Sequence, residues 1–323
     1  MKSLQKEGHL VPQPLEMLSD EGLRRKQFFA TLTSHTLKYL SDQLVERGFY
    51  WLLPIVFSKS TDPLWPDPNA SIEKRIEIEI YGQTVRTMQS MILHKLVATS
   101  IAYEKLFLLS PNIRIERRER SSTGKHAYEF TQLDFEIRDA LSSNVIELVE
   151  ELLVGLLSHL RKECKQELQE LGVYENMKVP KRPFIRYDRS HLENVYGAAW
   201  EDRIASEAKE PVWVTNIPRE FYDFEDFDTG RWDNYDLFVP GIGEILSGAR
   251  REWEISKIER KMERDGIRKE NFSIILSLAR EGRLKPSAGA GIGLERLISW
   301  ISGTRHIGEV QPFPKVPGYV YDL

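Results

Sequence analysis

Three clusters of residues have the types and spacing that nucleotide chemistry needs. The first is Arg117-Arg118-Glu119, read as strand, in which Arg117 and Glu119 project to one side. A polar loop follows, Arg120 to His126, and then a return strand that begins at Glu129-Phe130. A guanidinium fork matches phosphate oxygens, a glutamate can accept from an exocyclic amine, and an aromatic ring can stack on a base. The alternative is a charged surface hairpin. The second cluster is the alternating run Gly289-Ala290-Gly291-Ile292-Gly293, followed by Arg296 at the start of a helix. Alternating glycines bare one strand face for a flat ligand, and an arginine just beyond can cover the ligand's other side by cation–π stacking. Close helix-to-strand packing would use the same glycines. The third cluster is Asp236 with Glu244 and Ser247. Two carboxylates and a hydroxyl suit Mg²⁺, which takes a few protein oxygens besides phosphate and water; an exposed acidic turn is the alternative.

The elements that must position these residues are legible from periodicity. Apolar residues Phe29, Leu32, Leu37, Leu40 and Leu44 predict a helix over Gly22 to Arg47, with Gly48 as its stop. Phe49 to Phe57 reads as extended and interrupted at Pro54. Arg75 to Tyr81 alternates strictly and predicts a half-buried strand. Asn144, with Glu147 three residues on, predicts a capping box ahead of a helix running from about Val145 to Leu171. Its buried stripe is Val145, Val149, Leu152, Leu156 and Leu160. In the strand Phe130 to Ile137, the residues Leu133, Phe135 and Ile137 face a core, whereas Phe130, Gln132, Asp134 and Glu136 make a polar face. Strands separated by turns, with long helices between them, predict an α+β architecture: a largely antiparallel sheet with helices packed against it.

The 323 residues suffice for one large domain or two modest ones, and 41% hydrophobic content supports a sizeable core. The formal charge of −4 gives no support to a general polyanion binder. A single cysteine, Cys164, excludes an intrachain disulfide and a cysteine-cluster metal site. Met1 to Asp20 has no apolar signal core, and no apolar run is long enough to span a bilayer, so a cytoplasmic protein without membrane attachment is expected.

Taken together the clusters carry a resemblance. Arg117-x-Glu119, followed by Lys125-His126 and Glu129 to Asp134, resembles motif 2 of the class II aminoacyl-tRNA synthetases. Gly289 to Arg296 resembles motif 3, and Pro54 looks like the motif 1 proline. The aspartyl/asparaginyl branch fits best, through Gln89 to Lys95, Glu244 to Arg251 and the ending Gln311-Pro312-Phe313-Pro314. The likeness covers roughly Phe49 to the C-terminus. Ile92 departs from the glutamine usual in aspartyl enzymes, and Ser287 from a common histidine. The segments Ser90 to Lys95 and Lys285 to Gly291 look like the free-standing archaeal-type asparagine synthetase family, a paralogue of that branch.

The resemblance implies residues 1–20 as an extension and 21–323 as a class II catalytic domain, with no room for the branch's anticodon-binding barrel. It implies ATP and Mg²⁺, and adenine held between Phe130 and Arg296 along Gly291 and Gly293, with Glu119 reading its amino group. Arg117 would meet the α-phosphate and His126 the outer phosphates. Asp236, Glu244 and Ser247 would hold Mg²⁺. Aspartate would be gripped by Ser90, Lys95 and Arg251, with Gln132 and Asp134 near its amino group. The implied reaction is asparagine synthesis from aspartate and ammonia through a β-aspartyl-adenylate, in a homodimer, with tRNA not expected as a partner. A truncated tRNA ligase and an inactive regulatory paralogue are the alternatives.

Overall fold

A computed structural model describes residues 11–61 and 72–322. The first ten residues of the expected extension lie outside the described residues. An eight-stranded sheet organises the chain. In chain order its strands are β1 (Tyr50–Trp51), β2 (Lys105–Ile113), β3 (Glu129–Arg138), β4 (Ile185–Asp188), β5 (Val212–Thr215), β6 (Asn234–Val239), β7 (Gly243–Arg250) and β8 (Ser287–Gly293). In space they run β1-β2-β3-β8-β7-β6-β5-β4. The five inner pairings are antiparallel. The outermost pairing at each edge is parallel. The sheet is therefore mixed, within the α+β class that the pattern predicts.

One face of the sheet is closed by α1 (Asp20–Glu46) and α3 (Ser142–Glu163); between them in the chain comes α2 (Ile92–Ile101), and α4 (Leu294–Ser302) follows β8. Ser19 caps α1 by accepting from the Gly22 N–H at 3.3 Å. Gly48, at φ +83°, turns the chain out of the helix in the left-handed region. Leu32, Leu40 and Leu44 of α1 and the predicted stripe of α3 join Leu133, Phe135, Ala288, Ala290, Ile292 and Leu246 of the sheet in one buried cluster. Burial of this apolar area is what fixes which sheet face looks inward. On the opposite face α2 packs beside β3, and Leu93 and Leu96 meet Phe221, Ile258 and Phe272.

Three local readings are corrected. The strand Glu77–Ile80 exists, but it pairs within a separate three-stranded sheet, and Ile78 is 39% exposed rather than half-buried. Asn144 lies inside α3 rather than at its cap: its Oδ1 accepts from the Leu141 N–H at 2.9 Å, which starts the helix at Ser142. The long helix ends at Glu163, and a short one, Lys165–Glu170, continues beyond buried Cys164. The run from Phe49 is interrupted around Pro54 as expected, with β1 before it and a short strand, Phe57–Ser58, of the smaller sheet after it.

Candidate active site

The floor of the site is a row of residues set side by side by strand register. Asp134 of β3 lies opposite Gly291 of β8, Gly291 opposite Ser247 of β7, and Ser247 opposite Asp236 of β6. The polar face predicted for β3 is thus the face away from the helical core. A Cβ on Gly291 would stand 2.9 Å from both Asp134 Oδ1 and Gln132 Nε2. A Cβ on Gly289 would collide with the Glu136 carboxylate. The bare strand makes room for the carboxylates of its neighbour.

One half of the cleft encloses about 570 Å³ and is lined by Arg114, Glu116, Lys125, His126, Phe130, Gln132, Glu244, Gly291, Gly293, Glu295 and Arg296. Arg296 leads α4 back over β8. Its Nη1 donates to the Glu244 carbonyl at 2.8 Å, its Nε donates to the Lys125 carbonyl at 3.1 Å, and the Glu244 carboxylate is 3.6 Å away. The Arg114 guanidinium lies 5.1 Å above the Phe130 ring, and its Nε donates to the Gln89 carbonyl at 3.0 Å. His126 contacts the Thr123 hydroxyl at 2.5 Å. Burial and the cations Arg296, Arg120, Lys125 and Arg114 push its imidazole down to about 3, so it is neutral at physiological pH. Burial pushes the Glu295 carboxyl up to about 7, although it accepts from the Thr131 N–H at 2.9 Å.

The predicted pair Arg117 and Glu119 is not in this lining. Both side chains are exposed, and Glu119 lies in a 3₁₀ turn, Arg118–Thr123. Arg114 and Glu116 stand in their place. The reason is strand parity: Leu106, Leu108, Ser110, Asn112, Arg114 and Glu116 continue one alternation, and Leu108 and Asn112 pair with Asp134 and Phe130 of the polar face. The chain leaves this alternation after Glu116, so the next Arg-x-Glu triplet has no face to share. Counting in twos from Leu106 would have found the right pair.

The other half, about 820 Å³, is lined by Ser90, Ile92, Lys95, Gln132, Asp134, Arg219, Asp223, Ser247 and Arg251 among others. It shares Arg114, Gln132, Glu244 and Gly291 with the first. Here the charges are buried and paired. Lys95 Nζ donates to Asp134 Oδ1 at 2.7 Å and to the Ala290 carbonyl at 3.2 Å, and lies 3.8 Å from Glu136 Oε2. The second oxygen of Asp134 accepts from Ser110. Arg251 donates to Glu136 at 3.2 Å and to Asp223 at 2.5 Å. Burial works against its charge, and Glu136 and Asp223 more than offset that. Ser287 donates to the same Glu136 oxygen at 2.9 Å, a bond that gives this departure from histidine a structural use.

The expected magnesium set does not fit as read. Both oxygens of Asp236 accept from Arg219 Nη2, and Ser247 Oγ accepts from Nη1 of the same side chain. A guanidinium thus stands where the cation was expected, and among the described residues no three His, Cys, Asp or Glu side chains cluster to hold a metal. Glu244 and Ser247 line the cleft; Asp236 is buried. Arg219 and Asp223 come from the loop after β5, where no periodicity announces which side chains turn inward.

Comparison with known proteins gives the family and the fold. Residues 24–317 match the family described as tRNA synthetases class II (D, K and N). The asparagine–tRNA ligase of Clostridium botulinum (strain Eklund 17B / Type B) is 32% identical over 247 residues, 68% of this chain and 52% of its own length. That of Clostridium novyi (strain NT) is 27% identical over 278 residues, 77% of this chain and 55% of its own. The chain spans about half the length of these curated relatives. Among solved structures, asparaginyl-tRNA synthetase from Pyrococcus horikoshii complexed with asparaginyl-adenylate has a TM-score of 0.80 at 22% identity, over 97% of this chain and 76% of that one. Among the described residues no helix is long and apolar enough to cross a membrane. With residues 24–317 of its 323 matched to that family, the chain belongs to the class II tRNA synthetases of the D, K and N group.

Proposed function

We propose that this chain is an AMP-forming ligase that uses ATP to activate asparagine or aspartate as an acyl-adenylate and then passes the acyl group on. The observation that carries the reading is the joined cleft. A cationic half, walled by Phe130 and Arg296, opens through Arg114, Gln132, Glu244 and Gly291 into a buried half of paired charges. The nucleotide would lie along Gly291 and Gly293, its base between Phe130 and Arg296, with Glu116 near the base. Arg114 would meet the α-phosphate, where charge grows in the transition state. Neutral His126 would donate to an outer phosphate. The amino acid would lie in the second half, with its ammonium toward Asp134 and Gln132 and its side chain toward Lys95 and Arg251. A substrate carboxylate oxygen bonds to the α-phosphorus, the bridge to the β-phosphate breaks, and pyrophosphate leaves. An acceptor then attacks the acyl carbon, and AMP departs as the acceptor loses a proton.

The names of the relatives support a tRNA hydroxyl as the acceptor, so tRNA is a partner to test rather than one to set aside. The resemblance of Ser90 to Lys95 and of Lys285 to Gly291 supports a second reading, in which ammonia takes the β-acyl group of aspartate and free asparagine is released. Exposed Tyr50 and Trp51 on edge strand β1, with exposed Leu53 and Phe57 just after it in the chain, support a homodimer, and Leu53 is 90% exposed. A cytoplasmic site of action belongs to the same reading. The experiment is a product assay with labelled aspartate or asparagine, ATP and Mg²⁺. Charged tRNA supports the first acceptor, and free asparagine with ammonium alone supports the second. Absence of AMP with either amino acid and either acceptor would overturn the proposal.

A further inference from the structure

Arg219 reaches over β6 and β7 from the loop after β5. Its two terminal nitrogens are committed to both oxygens of Asp236 and to the hydroxyl of Ser247. Its charge also lies in the field of Asp223, Glu220 and Glu244. A divalent metal seated on these oxygens would stand in close contact with the guanidinium that already bonds to all three, and the like charges would repel, so guanidinium and metal compete for the same seat. The guanidinium is part of the wall of the amino-acid half, with the side chain 18% exposed, and its Nε–H takes no part in the three bonds. We propose that Arg219 is a built-in cation that fills the oxygen cage of Asp236 and Ser247, so that this chain offers a fixed guanidinium, and not a metal ion, to an anionic group of its substrate at that point. The group recognised would be a carboxylate or a phosphate, met by the N–H groups that these bonds leave over, Nε–H among them.

The claim concerns occupancy of the cage and stands apart from the reaction: it is testable even if the chain activates no amino acid. The probe is Mn²⁺ added to the full-length, nucleotide-free protein, with free Mn²⁺ read by its paramagnetic resonance signal. The parent is expected to have no Mn²⁺ seat that depends on Ser247, so Ser247→Ala should leave its binding unchanged. Arg219→Met should bind Mn²⁺ at least tenfold more tightly than the parent, and a further Asp236→Asn change should abolish the gain. Arg219→Lys, which keeps a cation in the cage, should exclude Mn²⁺ as the parent does. A parent Mn²⁺ seat lost in Ser247→Ala, or a folded Arg219→Met protein with no gain, would overturn the proposal. Should Arg219→Met not fold, tight Mn²⁺ binding by Arg219→Lys would overturn it as well.

Discussion

The two halves of the cleft hold their cations in opposite ways. In the open half, Arg114 and Arg296 donate to backbone carbonyls, and the one nearby carboxylate described, Glu244 at 3.6 Å from Arg296, offsets only part of the charge that a polyanion would meet. In the buried half, Lys95, Arg251 and Arg219 donate to Asp134, Glu136, Asp223 and Asp236. Neutral acceptors aim a charge without spending it, as a site awaiting a nucleotide requires. Carboxylate partners cancel the charge and fix the shape, as a site that sorts small amino acids requires. A buried pair adds little net stability, but breaking one strands a charge. The same residue type therefore serves attraction on one side and form on the other.

That contrast can be broken by substitution. The largest effect is expected in the buried half: Lys95→Met leaves Asp134 unpaired, and chemical denaturation should show a loss of about 3–5 kcal/mol. Next, Arg296→Ala in the open half should leave stability near that of the parent while slowing adenylate formation by about 10²–10³-fold, measured by pyrophosphate release. An Arg296→Ala protein as unstable as Lys95→Met would erase the distinction. A smaller effect is expected where the halves meet. Gly291→Ala places a Cβ 2.9 Å from Asp134 Oδ1 and Gln132 Nε2, and the crowding should cost about 1–3 kcal/mol, read as a lowered melting temperature and a raised KM for the amino acid.

The smallest effect is a pH dependence. His126 is depressed to about 3 from an ordinary 6.5, so between those values the unfolded chain takes up a proton that the folded chain refuses. Its share of stability therefore falls as pH drops below about 6.5. His126→Gln should lose less stability than the parent between pH 7 and pH 5 in urea denaturation. Equal losses would show that the imidazole is not held neutral by the open half.

Much of this was readable in the residues themselves. The stripes of α1 and α3, the two-faced strand β3 and the glycine run of β8 are periodic, and periodicity survives folding because one face must be buried. Asp134, Lys95, Gln132 and Arg251, expected around the amino acid, line one half of the cleft together. The Arg-x-Glu pair that lines the cleft stands three residues before the expected one, because Arg114-x-Glu116 and Arg117-x-Glu119 are the same triplet and only strand parity separates them. Arg219 was invisible for another reason: its partners lie 17 and 28 residues away on other strands, and nothing local in the loop marks it. The strand Glu77–Ile80 shows the reverse error, since strict alternation there promises burial that the chain does not supply.

The most direct test compares amino-acid-dependent exchange of pyrophosphate into ATP in Arg114→Ala and Arg117→Ala proteins. The account predicts exchange in the parent with asparagine or aspartate, about 10²–10³-fold less in Arg114→Ala, and near-parent exchange in Arg117→Ala. Full exchange in Arg114→Ala with loss in Arg117→Ala would contradict the placement of the nucleotide, and no exchange in the parent with either amino acid would contradict adenylate chemistry in this cleft.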